Sequence, residues 1–243
     1  MNKERLDKEL VRRGYVSTRS QAEDRVRRGL VQVNGSVVLK PGTSVDATSS
    51  IKMQQTEQFV SRAGEKLASV VPRFNLRFTN KVVLDIGSST GGFTDVALRG
   101  GAQKVIAVDV GTNQLHPTLR TNTRLELHEK TDIRNFHTSE KIDIVVADVS
   151  FISLRDILPY VRNLIGPETD LIVMVKPQFE ASNDNLKHKG VIKNDHIRRD
   201  ILRNFELWAQ KQFTIIEKAD SGLAGAKGNL ERFYVLRPRN GAS

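Results

Sequence analysis

At 243 residues, with 38% hydrophobic and 27% charged side chains, the chain has room for one full α/β domain and a small appendage, and its composition excludes wholesale disorder. It contains no cysteine, which rules out disulfides, thiolate metal sites and a cysteine nucleophile. The formal net charge of +10, split as +4 over residues 1–60 and +6 over the remainder, points to a polyanionic partner touched by both parts. The opening MNKERLDKELVRRG is charged throughout with no apolar h-region, and the longest aliphatic runs are strand-sized. No membrane partner is therefore expected, and the expected location is cytoplasmic.

Residues 1–55 read as a first domain. Leu6, Leu10 and Val11 recur at helical spacing and Gly14 ends the segment; Ser17 or Thr18 caps a second helix with Ala22 and Val26 on one face, and Gly29 stops it. Val31 to Val37 alternates around Asn34-Gly35, a strong hairpin signal, and Pro41-Gly42 precedes a last short strand at Ile51 to Met53. Two short helices and a small β element carrying many arginines describe a small α+β RNA-binding module. The stretch RLDKELVRRGYVSTRSQAEDRVRRGLVQVNGSVVLKPGTSV resembles an S4 RNA-binding domain. That resemblance implies RNA contacts from Arg5, Arg12, Arg13, Arg19 and Arg27 or Arg28, with Arg62 added from the start of the next domain.

Residues 56–61 are taken as a linker, and residues 62–243 as the second domain. Ser61 opens a helix through Leu67, Val70 and Val71 that carries Lys66 near its start. Val82 to Ile86 then reads as a buried strand, followed by a glycine-rich turn and a helix from Phe93. The turn, Asp85-Ile86-Gly87-Ser88-Ser89-Thr90-Gly91-Gly92, lacks the second glycine of a dinucleotide fingerprint and has an acid just before it. A carboxylate there repels pyrophosphate but suits the ammonium of an amino acid, so the expected cofactor is S-adenosylmethionine. Val105 to Val108 ends in Asp109, about 20 residues beyond the turn, where an acid binds a ribose diol. The expected cofactor residues are Asp85, Gly87, Ser88, Ser89, Thr90, Gly91, Gly92, Phe93, Asp109, Val110, Asp132 and Ile133, with Asp132 facing the adenine amino group.

Further strands are expected at Leu125–His128, Ile142–Ala147 and Leu171–Val175, and a helix over 195–210 capped by Asn194 or Asp195 with Ile197, Ile201, Phe205 and Trp208 on one face. Phe213–Lys218 and Glu231–Leu236 are joined without a helix, so they cannot both be parallel to the same sheet. The predicted fold is α/β: a Rossmann-like class I methyltransferase sheet with an antiparallel last strand, preceded by the small α+β domain. Asp85, Asp109, Asp132, Asp148 and Lys176 fall at strand ends, where open α/β sheets bind ligands. Methyl transfer to a hydroxyl requires a base, and lysine serves as one when neighbouring positive charge and partial burial favour its neutral form. Taken singly, Lys176 is as readily an ion-paired residue fixing a strand end.

The motifs FVSRAGEKL, VVLDIGSSTGGFTD, VDVGTNQL, VADVSFISL, VKPQFE and GAKGNLERF resemble FtsJ-type 2′-O-ribose methyltransferases, and the whole chain resembles the hemolysin TlyA family, an S4 domain joined to an FtsJ-like domain. The resemblance implies a Lys-Asp-Lys-Glu tetrad at Lys66, Asp148, Lys176 and Glu231, with Lys176 as base, and a cytidine acceptor in 23S or 16S ribosomal RNA. It departs from the family pattern at Ala63, where a glycine is more usual. Ribosomal RNA or ribosomal subunits are the expected partners, no metal is expected, and a monomer or weak dimer is left open. The competing readings are a membrane-active hemolysin, which lacks any span or barrel pattern, and a non-catalytic ribosome-assembly factor. The long polar loop from Glu180 to Lys193, with His188, is expected to move over bound RNA.

Overall fold

The protein is described from a computed structural model covering residues 3–16, 18–53, 59–181, 191–192, 194–225 and 228–239, which divides into two compact units, Met1–Gln58 and Phe59–Ser243. Ser17, part of the expected linker, and His188 with most of its loop lie outside the described residues.

The first unit runs β1 (Lys3–Arg5), α1 (Leu6–Arg12), α2 (Arg19–Arg27), β2 (Val31–Val33), β3 (Ser36–Val37), β4 (Ser44–Asp46) and β5 (Ile51–Met53). Leu6, Leu10, Ala22 and Val26 of the helices close on Val31, Val45 and Ile51 as one small core. Thr18 caps α2 in a reciprocal capping box with Gln21. Asn34 and Gly35 both have positive φ, the geometry a two-residue hairpin between β2 and β3 requires. The pairing of β1 with β4 was not expected, because a three-residue exposed strand, Lys3-Glu4-Arg5, has no apolar period to read.

Two carboxylates that the sequence reading passed over organise the arginines of this unit. Asp7 is fully buried, accepting from Arg5 Nε at 3.0 Å, Arg5 Nη2 at 2.7 Å and Arg19 Nε at 3.0 Å. Glu9, 2% exposed, holds Arg12 and Arg13 together. Arg13 reaches on to the carbonyls of Ser49 and Ala47, both at 2.8 Å, and so ties α1 to the turn between β4 and β5. The arginine bonds hold both carboxyls at about 2, Arg5 leading at Asp7 and Arg12 at Glu9. A folded-state value below the unfolded one means that the stabilisation is present above the ordinary carboxylate range and is lost as pH falls toward 2. The amide protection factors of this unit, measured in the full chain, should therefore fall relative to those of the second unit between about pH 5 and pH 2. Asp7→Asn should flatten that dependence; an unchanged pH profile in the variant would count against the assignment.

The second unit follows as α3 (Arg62–Val70), β6 (Val82–Ile86), α4 (Gly92–Arg99), β7 (Lys104–Val108), α5 (Pro117–Arg120), β8 (Leu125–His128), a 3-10 turn (Ile133–Asn135), β9 (Ile144–Ala147), α6 (Leu154–Arg162), β10 (Asp170–Val175), α7 (Pro177–Glu180), α8 (Asp195–Ala209), β11 (Phe213–Asp220) and β12 (Arg232–Pro238). The seven strands lie in the order β11-β12-β10-β9-β6-β7-β8. All pairs are parallel except those of β12, which runs antiparallel between β10 and β11. The strands are continuous apolar runs because helices cover both faces, with Leu84, Ile106 and Val173 packing to one side and Val83, Val105 and Ile172 to the other.

Helix α6 escaped sequence reading. Ser153 caps it and Leu154, Ile157, Leu158 and Val161 are buried at helical spacing, but Pro159 sits inside it and reads as a breaker. Asn194 is the cap of α8, accepting from His196 and Ile197. The buried stripe of α8 includes Arg198 and Leu202, rotated from the expected face.

Candidate active site

The sheet topology gathers the candidate residues at one end. Parallel β6 and β7 run out at Gly87 and Asp109, β9 at Asp148, and β10 at Lys176. Strand β12 arrives from the opposite direction, so its beginning lies at this same end. The β10–β12 ladder closes with Val175 opposite Arg232, and Lys176 and Glu231 are the next residues on the two strands. Glu231 stands one residue before β12 rather than opening it, but its carbonyl still accepts from Ser221 N at 2.9 Å.

Four charged side chains form two contacts here. Lys66 Nζ meets Glu231 Oε2 at 2.5 Å, both residues being buried. Lys176 Nζ lies 2.6 Å from Asp148 Oδ1 and donates to Ser150 Oγ at 2.7 Å. The Lys66–Glu231 pair is assembled by the loop before β12, which docks on α3: Gly222 N donates to Ser69 Oγ at 3.1 Å and Arg62 Nη2 to the Ala224 carbonyl at 2.8 Å. Arg62, expected to contact RNA, thus also anchors this loop. On the other side Arg198 Nε donates to the Leu230 carbonyl at 2.9 Å, and Asp220 joins Arg198 to Arg232.

A cavity of about 490 Å³ opens beside the Lys176–Asp148 pair. Of the expected cofactor residues it is lined by Gly87, Ser89, Asp109, Val110, Asp132 and Ile133, with Asp148 on the same wall. Asp109 is oriented by backbone, accepting from Ser89 N at 2.7 Å and Gly111 N at 2.6 Å. Asp132 caps the 3-10 turn and is paired with Arg134. A Cβ at Gly87, where φ is +76°, would stand 2.9 Å from the Asp148 carbonyl oxygen, so the turn and the end of β9 meet only because this residue is glycine. Ser88, Thr90, Gly91, Gly92 and Phe93 do not line the cavity. Gly92 packs under α3, where a Cβ would lie 2.7 Å from Gly64 N, and Phe93 belongs to the core beside Phe233.

Asp85 is fully buried, bound on Oδ2 by the Thr94 hydroxyl at 2.6 Å, while its Oδ1 has no partner. Burial pushes its carboxyl up to about 7; the Thr94 bond opposes this and the charges of Asp148 and Asp109 add to it. Because the folded-state value is raised, its contribution to stability is complete below the ordinary carboxylate range and is lost as pH rises toward 7. Asp85→Asn should consequently gain melting temperature relative to the native protein between pH 5 and pH 8 without cofactor. A constant difference across that range would refute the raised value.

Sequence reasoning missed four neighbours of the site. Gln114 lines the cavity and accepts from Ser89 Oγ at 2.9 Å, and Ser150 contacts Lys176. Phe151 is 91% exposed with a positive φ of 65°, unusual for a bulky residue, and its ring centroid lies 5.2 Å from that of Phe179. Glu180 fastens this loop, accepting from Ser153 Oγ at 2.6 Å and Leu154 N at 2.7 Å, and its burial pushes its carboxyl up. Each lies in or beside a motif of the chain, VDVGTNQL, VADVSFISL or VKPQFE, but only the folded loops reveal what it touches. A larger cavity of about 730 Å³ lies at the other ends of the strands and is lined by the Lys81–Asp143 and Arg237–Asp170 pairs, away from where such sheets bind ligands.

A parallel sheet with an inserted antiparallel strand and a nucleoside-sized cavity at its carboxyl end define a class I methyltransferase fold. Residues 59–239 match the FtsJ-like methyltransferase family and residues 4–51 the S4 domain. The chain belongs to the FtsJ-like methyltransferases, in the S4-bearing branch of the hemolysin TlyA family. It is 38% identical to "Hemolysin A" of Brachyspira hyodysenteriae, over 93% of this chain and 97% of that protein. It is 35% identical to "16S/23S rRNA (cytidine-2'-O)-methyltransferase TlyA" of Mycobacterium tuberculosis, over 96% and 89%. The solved structure "Putative hemolysin from Streptococcus thermophilus" superposes with a TM-score of 0.78 at 35% identity, covering 99% of this chain and 90% of that one. Among the described residues no helix is long and apolar enough to cross a membrane.

Proposed function

We propose that the protein transfers a methyl group from S-adenosylmethionine to the ribose 2′-oxygen of a cytidine in ribosomal RNA, with Lys176 as the base. The observation that carries this reading is the contact at 2.6 Å between Lys176 and Asp148, the latter on the wall of the cavity that Asp109 and Gly87 also line. The cavity suits the donor: the Asp109 carboxylate, held by two backbone N–H groups, lines it where a ribose diol would bind, while buried Asp85, just before the turn, keeps an unpartnered Oδ1 and carries negative charge only as pH rises past about 7. When bound, S-adenosylmethionine supplies an electrophilic methyl group on a sulfonium. Lys176 removes the acceptor proton as the oxygen attacks, Asp148 holds the lysine amine, and the Lys66–Glu231 pair orders the acceptor ribose. Ribosomal RNA as substrate is supported by the name carried by the mycobacterial relative and by the S4 domain.

The test is incubation with tritiated S-adenosylmethionine and ribosomal subunits, followed by mapping of the label. Label in alkali-resistant dinucleotides at a cytidine is expected; no transfer to either subunit or to its free RNA would sink the reading. The first unit is proposed to dock the RNA through Arg5, Arg12, Arg13, Arg19, Arg27 and Arg28. Of these Arg12 and Arg27 project furthest, at 63% and 62% exposed. Replacing both by Gln should weaken RNA binding and reduce the slope of log affinity against log salt by about two, one counterion for each lost phosphate contact. An unaltered slope would remove these two from the interface.

A further inference from the structure

The Lys176 amine donates a hydrogen bond to Ser150 Oγ at 2.7 Å, whereas Asp148 Oδ1, 2.6 Å away, is its ion-pair partner but accepts no hydrogen bond. A neutral lysine amine carries two N–H bonds and one lone pair in a tetrahedral arrangement. The Ser150 hydrogen bond fixes one N–H, and the adjacent Asp148 carboxylate repels the lone pair, which is therefore held on the side away from it. Asp148 alone, out of line for a hydrogen bond, would leave the amine turning about its Cε–Nζ bond.

We infer that Ser150 is a positioning residue for the transfer: its hydroxyl is the hydrogen-bond acceptor that stops this rotation and aims the lone pair of Lys176 at the acceptor hydroxyl. The inference rests on Lys176 being the base. In the step, the acceptor O–H gives its proton to the amine lone pair and the oxygen pair forms the new bond to the methyl carbon. The carbon–sulfur pair leaves with sulfur as a neutral thioether. The lysine is then an ammonium that is hydrogen-bonded to Ser150, paired with the Asp148 carboxylate and carries its new N–H toward the new ether oxygen. Ser150 is exposed and lines the cavity, so the proton passes from the ammonium to water as the product leaves. Loop geometry supports the placement: Glu180 pins the residues that follow Ser150 through Ser153 and Leu154.

The opposite polarity, with the Ser150 hydroxyl donating into the lone pair, would block the base and predicts the opposite result. Ser150→Ala is expected to lower kcat about tenfold, the scale of one hydrogen bond lost in orienting a base, with KM for RNA and the calorimetric Kd for S-adenosylmethionine unchanged. Ser150→Thr, which keeps the hydroxyl, should restore kcat. In the ligand-free protein, the ¹⁵Nζ signal of Lys176, identified by its loss in Lys176→Ala, should show faster hydrogen exchange in Ser150→Ala and the native rate in Ser150→Thr. Unchanged or increased kcat in Ser150→Ala, or a loss confined to KM, overturns the inference while Lys176→Ala stays inactive. Activity in Lys176→Ala overturns the base assignment and this inference together.

Discussion

Lys176→Ala is expected to lower methyl transfer by about 10²–10⁴-fold, the range ascribed to a positioned general base, while leaving the Kd for S-adenosylmethionine within a factor of two or three of the native value. The separation follows from the site. Lys176 contributes its amine to Asp148 and Ser150, whereas the expected adenosine contacts come from Asp109, Val110 and Asp132 on neighbouring strand ends. Asp148→Ala should approach the same loss, because it leaves the lysine amine without its carboxylate. Asp148→Asn should retain more activity, since the amide keeps a polar oxygen of the same shape beside the amine. Single-turnover rates with saturating RNA would separate these cases; a fully active Lys176→Ala would show that proton removal does not pass through this residue.

The second large effect concerns Lys66 and Glu231. Their contact is buried, with side-chain exposures of 10% and 4%. Removing one member leaves the other charge without its partner away from water, a cost of about 3–5 kcal/mol for buried pairs. Glu231→Ala should destabilise the second unit on that scale in addition to impairing transfer. Replacing both residues at once, Lys66→Met with Glu231→Leu, should recover most of the stability but none of the activity. Denaturant titration of the three variants reads this directly, and a double variant as unstable as Glu231→Ala would mean that the pair does not act as a unit.

The sheet was legible because its strands are bounded, continuous apolar runs. The missing crossover helix after β11 likewise made an antiparallel strand necessary, although not its insertion between β10 and β11. The boundaries moved where edges are polar: β9 begins at Ile144 rather than Ile142, and β11 continues to Asp220 because the Arg198 and Arg232 pairs hold its end. In the glycine turn, composition could not divide the labour among residues. Gly87 permits the approach to Asp148, Gly92 permits the approach of α3, and Gly91, at a φ of +91°, abuts Leu119, so one motif combines a turn on the cavity wall with two packing contacts. In the first unit, counting arginines indicated an RNA face, but Asp7 and Glu9 were hidden among ordinary helix charges. Their burial became visible only when α1 was seen against α2 and the β4–β5 turn.

The position of β12 also bears on when the enzyme becomes competent. Lys66 and Glu231 are 165 residues apart in sequence, and β12 enters the sheet between two strands rather than adding to its edge. A nascent chain that has emerged only as far as β11 holds the glycine turn, Asp148 and Lys176, but its sheet still has an open slot and Lys66 lacks Glu231. The Lys66–Glu231 pair is therefore completed by a strand synthesised after the other residues of the proposed site, so that this set waits for β12.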